Sequence, residues 1–161
     1  MATAVTRGLI TAATTIGGIA AGASLDRSIV QLPAWHRVGP VLWGVYSRQA
    51  DLRSGLVWYP PLGIGSLLVN LMAAVAVHRD RSVPRAAAAP VYVAAVLTMA
   101  HLLVTSQAGP NILRVRRRGE EPNGLRDALD GFTRWQAARA SLDALLFAAN
   151  LWSLRSVSQA S

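Results

Sequence analysis

The stretch LVWYPPLGIGSLLVNLMAAVAV, residues 56–77, decides the fold, because it runs for 22 residues without a charged side chain. At about 1.5 Å per residue, a helix of that length covers the roughly 30 Å hydrocarbon core of a bilayer. A helix on the surface of a water-soluble domain carries polar residues on its outer face, and this stretch has none to spare for one. Working outward, three more apolar stretches lie at about 8–25, 86–105 and 137–154, each close to the length of a transmembrane helix. The expected fold is therefore all-α: an integral membrane four-helix bundle forming a single transmembrane domain over residues 1–161. About thirty residues separate the first and second stretches, about eight the second and third, and about thirty the third and fourth. Both termini then lie on one side and two long loops on the other.

Composition agrees: 52% of the residues are hydrophobic and only 15% charged, an apolar share at the top of the range for soluble domains or above it. With no Cys, disulfides, thiolate nucleophiles, Cys-ligated metals and redox Cys pairs are excluded. The net charge of +8 comes entirely from Arg, a bias that reads as GC-rich coding. Those Arg residues flank the apolar stretches instead of lining one soluble face, which implies anionic lipid headgroups as partner and not nucleic acid. Ala21-Gly22-Ala23 has the small-residue pattern of a signal cleavage site, but the run around it is longer than a signal core, so we expect a retained helix. Gly18 and Gly22 in that helix have the small-xxx-small spacing that lets helices approach closely.

Orientation follows from the Arg distribution. Ten lie on the long-loop side (Arg27, Arg37, Arg48, Arg53, Arg114, Arg116, Arg117, Arg118, Arg126 and Arg134), against Arg7, Arg79, Arg81, Arg85 and Arg155 on the other. The positive-inside rule places the long loops in the cytoplasm and the protein, multi-pass, in the cell membrane. Trp35, His36, Trp43, Tyr46, Trp58 and Tyr59 in or near the first long loop suggest a segment lying on the membrane surface.

Polar residues inside the apolar stretches are the candidates for function. In the fourth, Gln136, Arg139, Asp143 and Asn150 recur at helical spacing and share a face that cannot meet lipid. Arg139 and Asp143, four apart, are expected to neutralise each other or to find partners inside the bundle. Thr98, His101 and Thr105 share a face of the third stretch and Ser66 and Asn70 one of the second, while the first offers Thr11, Thr15, Gly18, Gly22 and Asp26. Together they predict a polar interior. For the Ser and Thr residues, simple cross-helix hydrogen bonding suffices as an explanation. The three His residues have no metal-ligand spacing, so no metal or other cofactor is expected, and His101 suits general-base work better than ligation.

Three segments carry a resemblance. Val104-Thr105-Ser106-Gln107-Ala108-Gly109-Pro110-Asn111-Ile112-Leu113 at the end of the third stretch, Phe132-Thr133-Arg134-Trp135-Gln136-Ala137-Ala138-Arg139 before the fourth, and Pro33-Ala34 followed by Tyr46 and Pro60-Pro61 are similar to elements of the anthrone-oxygenase-like family of small four-helix membrane proteins. Many members carry His where Gln136 stands and Trp where Phe132 stands. The resemblance implies conversion of an anthrone methylene to a quinone carbonyl by O₂ without metal or flavin. That chemistry needs one base for an acidic C–H and one cation for the enolate oxygen. The residues expected to supply them are His101 as base and Arg139 as oxyanion partner, with Asp143 orienting one of them. Trp35, Tyr46 and Trp135 would form flat walls for a hydrophobic aromatic ligand, although membrane anchoring explains the same aromatics. Asn70, Asn111 and Gln136 complete the expected binding set. The competing expectation is a non-catalytic accessory subunit or small-molecule binder in which the polar residues fix helix register. A transporter is disfavoured by the lack of inverted repeats. Self-association is left open.

Overall fold

A computed structural model describes residues 3–117 and 121–159, apart from the side chain of Arg116. Arg118, counted above for orientation, lies outside the described residues. The described chain is helical almost throughout and contains no strand. Its helices are α1 (Ala4–Asp26), α2 (Trp35–Val38), α3 (Pro40–Gln49), α4 (Leu56–Arg79), α5 (Arg85–Arg117) and α6 (Pro122–Gln159).

The two connections expected as long loops are instead helical, and this corrects the sequence reading. After α1 the chain continues through a π-helical turn (Arg27–Gln31) and a 3₁₀ turn (Leu32–Ala34) into α2. It reverses at Gly39, whose φ of +87° is open to glycine and strained for other residues. From there α3 and a second π-helical turn (Ala50–Gly55) lead into α4. At the same end α5 extends to Arg117 and α6 starts at Pro122, so with 33 and 38 residues they reach about 50 and 57 Å, well beyond a hydrocarbon core of about 30 Å. This polar end has its own apolar core of Leu32, Trp35, Trp43, Ala108, Val115, Leu125, Leu129 and Phe132. Apolar runs mark only where lipid is touched. These extensions are amphipathic and pack on each other, so run length could not reveal them.

Among the long helices, α6 packs against α5 and α1, and α4 against α1 and α5. The approach of α1 to α6 is close: a Cβ added to Gly17 would sit 3.1 Å from Asn150 Nδ2, and one added to Gly18 would sit 3.0 Å from the Phe147 ring. Thr14 donates to the Asn150 carbonyl and Asn150 to the Ala13 carbonyl, each at 3.3 Å. The buried stripe of α1 is thus Ala13, Gly17, Ala21 and Ser24. Thr11, Thr15, Gly22 and Asp26, expected inside, face outward. Thr15 shows why: its hydroxyl bonds the Thr11 carbonyl one turn back, at 3.0 Å, and needs no interior partner.

At the other end of the molecule Asp80 ties the start of α1 to the α4–α5 turn. Its carboxylate accepts from the Thr3 N–H at 2.8 Å and the Thr6 hydroxyl at 2.9 Å. The Ser82 hydroxyl, followed by the Thr3 N–H, holds its carboxyl far below the usual carboxylate range.

The distribution of polarity suits a protein surrounded by lipid. Outside stand Trp58, Ile64, Leu68, Met72, Val96, Leu103, Leu145 and Trp152; inside are buried Thr14, Asn70, Thr98, Gln136, Asp143, Asn150 and Ser153. In water such an outer surface would be a large apolar patch; in a bilayer it is the favourable one, while interior polar groups must find one another. Three helical stretches, Ala4–Val38, Pro40–Arg79 and Arg85–Val115, are long and apolar enough to cross a membrane. The fourth long helix, α6, is long enough but less apolar, because its buried face carries Gln136, Arg139, Asp143 and Asn150.

Candidate functional site

The apolar contacts between α4 and α5 concentrate next to their short turn, where Ala73 and Val77 meet Ala87, Ala88 and Val91. Toward the polar end a cavity of about 320 Å³ lies between them, closed behind by α1 and α6. Pro60 and Pro61 lie inside α4 at this level and remove two consecutive backbone donors, which weakens the helix where it borders the cavity.

His101, Arg139 and Asp143 all line this cavity. Of the two arrangements expected for Arg139 and Asp143, Asp143 takes the second and finds partners inside the bundle: its oxygens are engaged across helices, and its charge acts on Arg139 through space. Oδ2 accepts from the Ser24 hydroxyl of α1 at 2.5 Å, and Oδ1 lies 2.7 Å from His101 Nδ1 of α5. The geometry falls short of a directed hydrogen bond, so the contact is a close approach of ring and carboxylate. Thr105 Oγ1 sits 3.2 Å from the other ring nitrogen, Nε2. A carboxylate at Nδ1 stabilises the proton there and leaves Nε2 as the basic nitrogen, the same logic by which an aspartate sets the tautomer of a catalytic histidine. Arg139 has its Nε buried without a hydrogen-bond partner.

A second buried cation was missed from the sequence. Arg27, counted there only for orientation, is ion-paired with Asp51 at 2.7 Å, with side-chain exposures of 5% and 9%. Its guanidinium lies 5.4 Å from the centre of the Tyr59 ring and 5.0 Å from that of Phe132. Arg27, Asp51, Tyr59 and Phe132 all line the cavity. The available signal was Asp26-Arg27 continuing the helical pattern of the first apolar run, so that Arg27 falls one turn beyond Ser24 on the buried face.

The other expected residues lie outside the lining. Trp35 is buried in the polar-end core, its indole N–H donating to Thr133 Oγ1 at 3.3 Å. Tyr46 rests beside Trp43 and is half exposed, as is Trp135. Asn70 donates to the Ser66 carbonyl at 2.8 Å. Asn111 packs over Gly131 and borders a separate polar groove with Arg114, Asp127, Asp130 and Arg134. Gln136 is fully buried and donates to the Ser24 carbonyl at 3.3 Å, its own Oε1 left without a partner. Tyr59 and Phe132, instead of Trp35, Tyr46 and Trp135, are the aromatic walls. Among the described residues no three of His, Asp and Glu come together as a metal site would require.

Ser24 is the joint of the arrangement: its side chain holds Asp143 and its carbonyl holds Gln136. The cavity therefore offers, in one low-dielectric space, an imidazole oriented by a carboxylate, a guanidinium with an unused donor, an ion-paired guanidinium and two aromatic faces. No family model, curated protein or solved structure matches the chain, so the function of this site is read from its own chemistry.

Proposed function

We propose that the protein is a four-helix bundle of the cell membrane, with α6 as the fourth span and the Arg-rich helical end in the cytoplasm, and that its cavity oxidises a lipophilic anthrone-like or phenolic compound with O₂. The single observation that carries the catalytic part is the contact of His101 with Asp143 on the wall that Arg139 shares. The fourth span is supported by the apolar stretch of α6: there Gln136, Arg139, Asp143 and Asn150 turn inward, while Leu145, Leu151 and Trp152 turn outward. The orientation rests on Arg37, Arg48, Arg53, Arg114, Arg117, Arg126 and Arg134 at the polar end; Arg27 is ion-paired and drops out of that argument.

The reaction balances as anthrone plus O₂ giving anthraquinone plus water. His101 Nε2 removes one methylene proton, and the enolate oxygen so formed is held by Arg139. The carbanion carbon is oxidised by O₂ to a peroxide, which takes the proton back from His101 on its outer oxygen. Removal of the second proton from the same carbon breaks the O–O bond, forms the carbonyl and expels hydroxide, which leaves as water with that proton. The same nitrogen serves both steps.

A second reading, a non-catalytic binder or accessory subunit, is favoured by one feature: both oxygens of Asp143 and both nitrogens of His101 already have protein groups beside them. Oxygen uptake by the purified protein with anthrone separates the two. The catalytic reading expects uptake above spontaneous oxidation, lowered by about 10²-fold or more in His101→Ala. Equal uptake with folded His101→Ala, or none above background, leaves the binding reading standing.

A further inference from the structure

The cavity is not uniform along its length. On α5 it runs from Thr98 to Ile112, about 21 Å at 1.5 Å per residue. Its inner part is walled mainly by Leu62, Leu67, Leu102 and Leu146, with Ser66, Thr98 and the contacting His101 and Asp143 among them, and its outer part by Arg27, Asp51, Tyr59 and Arg139. The guanidinium groups stand toward the polar end and the leucines toward the middle, the same sense as one leaflet of a bilayer. Four of the lining residues are also open to the outside: Pro60, and Leu56, Ile64 and Leu102 at 45%, 57% and 46% exposed. Leu56, Pro60 and Ile64 belong to α4 and Leu102 to α5. The mouth is therefore the seam between these two helices, on the side where lipid lies.

From this we infer that the ligand is a weakly acidic amphiphile that enters sideways from the bilayer between α4 and α5, its oxygen head at Arg27 and Arg139 and its apolar body along Leu62, Leu102 and Leu146. The inference rests on the cavity of the proposed function but not on turnover. A free donor selects the head. Arg27 is held by Asp51, whereas the buried Nε of Arg139 has no hydrogen-bond partner, and an oxyanion would accept from it at low dielectric. Shape selects the approach: an amphiphile lying in its leaflet already has its head and body at the right depths and needs only to move laterally.

The experiment uses the full-length protein in phosphatidylcholine vesicles under anaerobic conditions, so that no oxidation occurs. The probe is 4-hexyl-4′-hydroxybenzophenone, a phenol that is its own photocrosslinker, compared with its O-methyl ether. Saturable labelling of the peptides that contain Ile64 and Leu102 is expected, at least tenfold stronger for the phenol than for the ether. Arg139→Gln should remove that preference. Ile64→Trp and Leu102→Phe change half-exposed side chains outside the packed core, and each should slow labelling several-fold. Equal labelling by phenol and ether overturns the head assignment, and labelling rates unchanged in both seam variants, or labelling that never saturates, overturn lateral admission. Saturable, phenol-selective labelling in a protein that shows no oxygen uptake supports this inference while refuting the oxygenase, so the two can fail separately.

Discussion

Replacing Asp51 by Ala should be among the most damaging single substitutions in this protein. The carboxylate lies 2.7 Å from the Arg27 guanidinium with both side chains almost wholly buried. Removing one partner of such a pair strands a charge in a low-dielectric interior, a loss of about 3–5 kcal/mol. Here the rings of Tyr59 and Phe132, both within 5.4 Å of the guanidinium, retain part of the stabilisation, on the order of 1 kcal/mol. The expected loss is then about 3 kcal/mol, roughly a hundredfold in the folding equilibrium. Arg27→Met with Asp51→Leu, which removes both charges and keeps apolar volume, should cost far less than Asp51→Ala alone, with a coupling of about 2 kcal/mol or more. The assay is reversible unfolding in mixed micelles with increasing SDS, followed by Trp fluorescence. A loss below about 0.5 kcal/mol for Asp51→Ala, or additive losses in the double variant, would refute the claim that the pair is buried and mutually dependent.

Asp143→Asn keeps a side chain that can accept from Ser24 but removes the charge beside His101; oxygen uptake with anthrone should fall by about tenfold or more, while SDS resistance changes less than in Asp143→Ala. Gly17→Leu drives a side chain into Asn150, 3.1 Å from the position of its Cβ, and should destabilise the α1–α6 contact by about 1–3 kcal/mol in the same unfolding assay. The Asp80 carboxyl is held below its ordinary 3.8 in the folded protein, so its contribution is complete above that value and is lost as pH falls toward the depressed folded value. Thermal melts from pH 6 downward should show an acid-side loss that Asp80→Asn lacks; parallel curves for the two proteins would contradict the latch.

Much of the fold was legible before any tertiary contact was known. Leu56–Val77 has no charge for water to solvate, and Gln136, Arg139, Asp143 and Asn150 recur at a spacing that places them on one face. Run length and periodicity are local properties of the chain, so they carried the helical class, the apolar lengths that suit a membrane, and the inward face of α5 and α6. On α1 it misled by one residue. Thr11 and Thr15 looked like interior groups, but a threonine can satisfy its hydroxyl on its own helix and then face lipid.

What only the tertiary structure decided is which polar groups meet. Sequence spacing left Arg139 and Asp143 either to neutralise each other or to find partners in the bundle; the structure gives Asp143 to Ser24, 119 positions away, and to His101 from another helix. In a low-dielectric interior the best-placed donors win irrespective of distance along the chain. Arg27, counted only as a loop-side charge, and Asp51, which the sequence did not single out, come together only because the chain turns back at Gly39 and stays helical on both sides of it. Insertion into the membrane depends on the summed apolarity of single segments, which the order of residues determines by itself; the cavity and its charges depend on how four long helices pack, and no segment carries that alone.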